Sequence, residues 1–239
     1  MNELALFAGA GGGILGGKLL GFTTVCAVEI NAFAASVLVS RQNDGCLAPF
    51  PVWDDIRTFD GIPWRGTVDL VSGGFPCQDI ALPGPGGGIE GTRSGLWKEM
   101  ARIIGEVRPA FVIVENSTAI RGRGINVVLG DLASMGYDAR WGNLAASGVG
   151  APHERNRFWL VANARGFVPL GLQVRTASRG EPICETEPLL FPAWSQRPSA
   201  LADLPRVDDG MATRLDAVEA IGNGQVPQVA AIAWETLKP

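Results

Sequence analysis

The sequence predicts an α/β domain built on an open sheet. Three observations carry that prediction: short apolar runs alternate with segments of helical periodicity, successive runs stop at a carboxylate or a flexible residue, and glycine clusters directly follow the first and fourth runs. The 239 residues are 46% hydrophobic, enough to bury a full core in one domain with a small appendage.

Residues 4–8 form the first buried strand. Gly9-Ala10-Gly11-Gly12-Gly13-Ile14-Leu15-Gly16-Gly17 follows as a turn into a helix, where free backbone N–H groups receive an anionic group of a bound cofactor. The register Gly11-x-Gly13-x-x-Gly16 fits the dinucleotide fingerprint formally. A second strand, residues 25–29, ends in Glu29 about twenty residues on, where a carboxylate accepts from ribose hydroxyls. The pair implies an adenosine-type ligand without saying which one.

Residues 32–39 suit a packed helix, and Trp53-Asp54-Asp55-Ile56 ends a third strand with another carboxylate. The fourth strand, residues 68–72, runs into Gly73-Gly74-Phe75-Pro76-Cys77-Gln78 and holds one thiol at a sharp turn beyond the sheet edge. An isolated cysteine is more often a small buried hydrophobe. Cys77, at the end of a strand and before a glycine-rich segment, has the setting of a nucleophile. Residues 79–95, with Pro83-Gly84-Pro85-Gly86-Gly87-Gly88, read as a lid that closes on substrate.

Ser94 is an N-cap for a helix whose core stripe is Leu96, Met100, Ile103 and Val107, stopped by Pro109. Residues 110–116 are the clearest strand, apolar until Glu115, an acid whose burial predicts a raised pKa and a part in holding or delivering a proton. A helix over 124–135 closes at Gly136. Arg155 and Arg157 then enter a strand at 158–162 on one face, as if to meet an anionic or carbonyl-rich group. From 163 to 204 prolines recur and periodicity fades, which marks a small irregular subdomain. Gly222-Asn223-Gly224 turns the chain into a last helix over 226–237.

Four scattered cysteines (Cys26, Cys46, Cys77, Cys184) and one histidine support neither a disulfide framework nor a zinc site. Apolar stretches are interrupted well short of a membrane span and no basic-then-apolar leader precedes the first strand, so a soluble, cytoplasmic protein is expected. The net charge of -4 argues weakly against a nucleic-acid partner, but the average conceals a cation-rich stretch from Arg93 to Arg165.

In their order, these motifs resemble those of the cytosine-5 DNA methyltransferases over nearly the whole chain. Leu6-Phe7-Ala8-Gly9-Ala10-Gly11-Gly12 is similar to the family's first cofactor motif, Glu29 to its ribose-binding acid and Asp55-Ile56 to its adenine contact. Gly73 to Gln78 resembles the Pro-Cys catalytic motif, and Glu115-Asn116 the Glu-Asn pair. His153-x-Arg155-x-Arg157 resembles the Gln-x-Arg-x-Arg motif, and Gly222-Asn223-Gly224-x-Val226-Pro227 the final cofactor-pocket motif. The resemblance implies a Rossmann-like S-adenosylmethionine-dependent methyltransferase fold. Residues 1–163 would be the catalytic domain, 164–205 a reduced target-recognition region, and 206–239 a return to the catalytic domain.

It further implies S-adenosylmethionine as cofactor, S-adenosylhomocysteine as product, double-stranded DNA as substrate, a monomer, and neither metal nor membrane. The implied cofactor contacts are Phe7, Ala8, Gly9, Ala10, Gly11, Gly12, Glu29, Ile30, Asp55, Ile56, Pro76, Leu96, Asn223 and Gly224. The implied catalytic residues are Cys77, Glu115, Arg155 and Arg157. Cys77 would add to C6 of a flipped-out cytosine, Glu115 would hydrogen-bond or protonate N3, and Arg157, with Arg155 in support, would hold the base carbonyl.

Three positions depart from the family pattern: Ala5 and Asn31 stand where acids are common, and His153 where glutamine is usual. The recognition region is also shorter than usual, which implies short or relaxed sequence specificity. Three alternatives compete. A nicotinamide oxidoreductase would share the strand-glycine-strand-acid pattern but leaves Cys77, Glu115 and the arginine pair unexplained. The others are a catalytically weak DNA-binding relative and an RNA cytosine-5 methyltransferase.

Overall fold

β1 (Asn2–Leu6) is buried almost throughout, as a parallel strand between two helical layers must be. A computed structural model describes residues 1–76, 96–166 and 224–239. The other strands are β2 (Thr23–Val28), β3 (Val52–Trp53), β4 (Leu70–Gly73), β5 (Phe111–Ser117), β6 (Tyr137–Ala145) and β7 (Asn156–Ala164). Among the described residues they form one sheet in the order β3-β2-β1-β4-β5-β7-β6. The first five are parallel, and β7 lies antiparallel between β5 and β6.

Helices cover both faces. α3 (Trp97–Val107) and α4 (Ile125–Ser134) pack on one face, where Leu4, Leu6, Val71, Val112, Val114 and Leu160 meet Met100, Ile103, Val128 and Leu132. α1 (Gly12–Leu19), α2 (Ala32–Asn43) and α5 (Pro227–Leu237) cover the other, with Trp234 of α5 edge-on to Phe111 and Phe22. This is a doubly wound, Rossmann-like arrangement, the α/β class expected from the sequence. The chain order reverses between β1 and β4, so the crevice beyond their carboxyl ends is where such a fold binds ligands. No helix among the described residues is long and apolar enough to cross a membrane.

The structure shifts several predicted boundaries. β1 stops at Leu6 instead of continuing to residue 8, because Phe7 turns left-handed (φ 52°) and is followed by Gly9 (φ 53°). α2 continues to Asn43: Asn31 caps it by accepting from the Ala34 N–H at 2.9 Å, and Arg41 near its end donates to the Ala10 carbonyl at 2.6 Å. β3 is only two residues long, since Asp55 caps a short 3₁₀ turn over Ile56–Thr58 in place of ending a strand. α3 begins at Trp97 with Leu96 at its cap, and the predicted cap Ser94 lies outside the described residues. β6 was not foreseen. It is an edge strand in which Asp138, Arg140, Trp141 and Asn143 are exposed, so its polar residues and broken alternation hide it in sequence.

Candidate active site

The glycine turn after β1 and the end of β4 open onto one crevice at the switch point. Ala5 to Gly9, Gly13 and Ile14 form one wall, Ser72 to Gly74 the second, and Glu115, Gly224 and Gln225 close it. Of the predicted residues, the crevice thus brings together Phe7, Ala8, Gly9, Glu115 and Gly224. Glu29 stands one bond away. Its carboxylate oxygens accept from the Gly9 N–H at 2.6 Å and the Asn31 N–H at 2.7 Å, which ties the glycine turn to the end of β2. Asn31, where the family commonly has an acid, serves α2 as its cap.

The other predicted cofactor residues are more dispersed. Ala10, Gly11 and Gly12 form the turn into α1, with Gly11 as its left-handed cap (φ 86°). Ile30 is 67% exposed beside Glu29. Asp55 forms an ion pair with Arg57 at 2.6 Å, where the guanidinium holds its carboxyl below the usual range. Ile56 and Leu96 pack their side chains into or against the α3-side core. Pro76 is the last described residue of its segment, and Cys77, Asn223, the whole of the predicted lid and nearly all of the predicted recognition region lie outside the described residues.

Glu115 is the chemical centre of what is described. It is 8% exposed, and burial pushes its carboxyl up to about 7; Arg157, Arg155 and a hydrogen bond from Gln225 act in the opposite direction. The Arg157 Nε lies 3.3 Å from Glu115 Oε1. Arg155, with φ 27°, donates to the Gly224 carbonyl at 2.5 Å and so braces the loop that carries Gln225. Two arginines and an amide thus favour the charged form of Glu115, yet desolvation still outweighs them. A carboxyl poised near neutrality can hold a proton for a substrate atom and give it up again.

The segment leading to Cys77 is anchored from two sides. The Phe75 ring is buried against Trp97, with centroids 5.5 Å apart, and the Phe75 carbonyl accepts from the buried Asn116 Nδ2 at 3.1 Å. Asn116 therefore couples the acid-bearing strand to the thiol-bearing segment. Its place after Glu115 was visible in the sequence, but not this contact. Gly74 is needed for space: a Cβ there would lie 2.7 Å from Glu115 Oε2 and 3.0 Å from Gln225 Nε2. Gly74→Ala is expected to destabilise the fold by about 1–3 kcal/mol, read as a lower denaturation midpoint at an unchanged denaturant slope.

A family model for the C-5 cytosine-specific DNA methylases matches residues 1–186. The chain belongs to that family. It is 30% identical over 194 residues to the Type II methyltransferase M.CviJI of Paramecium bursaria Chlorella virus IL3A, covering 78% of this chain and 51% of that one. With M.Eco47II of Escherichia coli it shares 34% identity over 168 residues, 66% of this chain and 38% of the relative. The chain thus spans about half, or less, of the length of these curated methylases.

Its fold is similar to that of a putative DNA modification methyltransferase encoded within an E. coli prophage. The TM-score is 0.56 at 26% identity, over 73% of this chain and 49% of the other. The S. pombe Dnmt2 methyltransferase shares the fold at TM-score 0.56 and 22% identity, over 69% of this chain and 51% of that one.

Proposed function

We propose that the protein transfers a methyl group from S-adenosylmethionine to C5 of a cytosine extruded from double-stranded DNA. The observation that carries this reading is Glu115: a buried acid poised near neutrality, flanked by Arg157, at the rim of the switch-point crevice. A nicotinamide oxidoreductase leaves that acid, the arginine pair and Cys77 unexplained.

The donor set fits the cofactor. Each Glu29 oxygen accepts one backbone N–H and keeps a second lone pair for a ribose hydroxyl. The exposed Ile30 offers an apolar face beside it for a purine. Asp55 is engaged by the backbone N–H and the guanidinium of Arg57, and that guanidinium, 63% exposed, is a weak competitor in water. When bound, S-adenosylmethionine supplies an electrophilic methyl group.

The chain's own residues do the rest. The Cys77 sulfur bonds to C6 of the ring while Glu115 holds a proton on N3, so the electron pair displaced from the ring double bond is available at C5. Arg157 steadies the base. After methylation the C5 proton passes to solvent, its bonding pair restores the C5–C6 double bond as the C6–S bond breaks, the sulfur departs with its electron pair as thiolate, and N3 returns its proton to Glu115. Extrusion is required because C6 lies within the base stack of a duplex.

The test is incorporation of labelled methyl groups from S-adenosylmethionine into duplex DNA, followed by bisulfite sequencing to locate the product. Methylated cytosine in duplex DNA is the expected result. Methylation of tRNA with none in duplex DNA would overturn the substrate assignment, and binding of NAD with none of S-adenosylmethionine would overturn the cofactor assignment.

A further inference from the structure

Glu115 is met on one side by arginines and on the other by an amide. Gln225, in the loop that enters α5, gives the Glu115 carboxyl a side-chain hydrogen bond. Both groups crowd the same point, the unfilled Cβ position of Gly74. The Gln225 side chain also reaches a second, smaller chamber on the α1 and α5 side of the sheet, lined in part by Glu3, Ser72 and Trp159.

Trp159 is 1% exposed, and its indole N–H has no hydrogen-bond partner among the described residues. Such a donor is costly to bury. A chamber of about 20 Å³ has room for one water. The Gln225 Oε1 lies against Gly13, which lines both spaces.

We propose that Gln225 is a positioning residue for Glu115: its amide nitrogen, oriented by a water that takes the Trp159 N–H, donates to the Glu115 carboxylate. The water takes the Trp159 N–H and donates to Gln225 Oε1, which turns the amide nitrogen toward Glu115. Gln225 then acts with Arg155 and Arg157 from the entry to β7, against the effect of burial. Glu3 is the other acid nearby. It accepts from Ser72 Oγ at 2.6 Å and Thr24 Oγ1 at 3.0 Å, and burial raises its pKa. The value of the contact for methyl transfer rests on the function proposed above; the contact itself does not.

Infrared titration of the free protein carrying ¹³C-labelled glutamate reads Glu115 directly, with Glu115→Gln identifying its band. Removing the donor in Gln225→Met moves the midpoint upward by about one pH unit. The isosteric Gln225→Glu, which places a second carboxyl beside the first, moves it upward further and decides the matter if the methionine variant does not fold. Trp159→Phe gives a smaller upward shift.

An unmoved or lowered midpoint in a folded Gln225 variant overturns the proposal, and no shift in Trp159→Phe overturns the part given to the water. Shifted midpoints without methylation by any form of the protein would sink the proposed activity alone. Methylation with unmoved midpoints would sink this inference alone.

Discussion

Cys77→Ser lowers methyl transfer by roughly 10³-fold or more while binding of duplex DNA persists. A serine hydroxyl is far less nucleophilic than a thiol that is a few per cent ionised at neutral pH. Without addition at C6, the ring gives C5 no usable electron pair. The measurement is labelled-methyl incorporation by wild type and variant on the same duplex, with binding followed separately. A duplex containing 5-fluorocytosine sharpens it: C5 then has no proton to lose, so a covalent complex accumulates with wild type and not with the variant. Equal incorporation by the two proteins would eliminate the thiol's assigned role.

Glu115→Gln slows methyl transfer by roughly 10²–10⁴-fold, again with duplex binding retained. Glutamine keeps the shape but cannot deliver a proton to N3. In the wild type the neutral acid is the working form, so the Glu115 contribution declines as pH rises through about 7. The same group makes folding pH-dependent. Its pKa is raised from 4.5 to about 7, so the folded chain holds the proton more tightly than the unfolded chain. That contribution is fully present below pH 4.5, is lost as pH rises to about 7, and is flat above. It amounts to about 3 kcal/mol. Thermal unfolding should therefore show the variant gaining on wild type between pH 5 and pH 8. A pH-independent difference would contradict the assigned burial of the charge.

What could be read from the sequence depended on how locally each feature is determined. The glycine turn after β1 and the apolar run of β5 declare themselves, because their backbone geometry and burial are written in consecutive residues. Arg155 and Arg157 were legible as a pair with a shared purpose, and the structure sets both beside Glu115. β6 was not legible, since an edge strand satisfies water as much as the core and shows no clean alternation. Gln225 carried no local signal at all: its importance arises only when the loop before α5 folds back against β4 and β5. The same holds for Asn116, whose partner is 41 residues away, and for Asp55, whose cap on a 3₁₀ turn competes with the strand end expected of it.

Across the β5–β7 ladder, Glu115 faces Trp159 and Ser117 faces Arg157. The spacing of acid and guanidinium is thus fixed by main-chain hydrogen bonds between neighbouring strands, independent of any loop. Residues outside these two strands can therefore be exchanged without altering the separation of the pair.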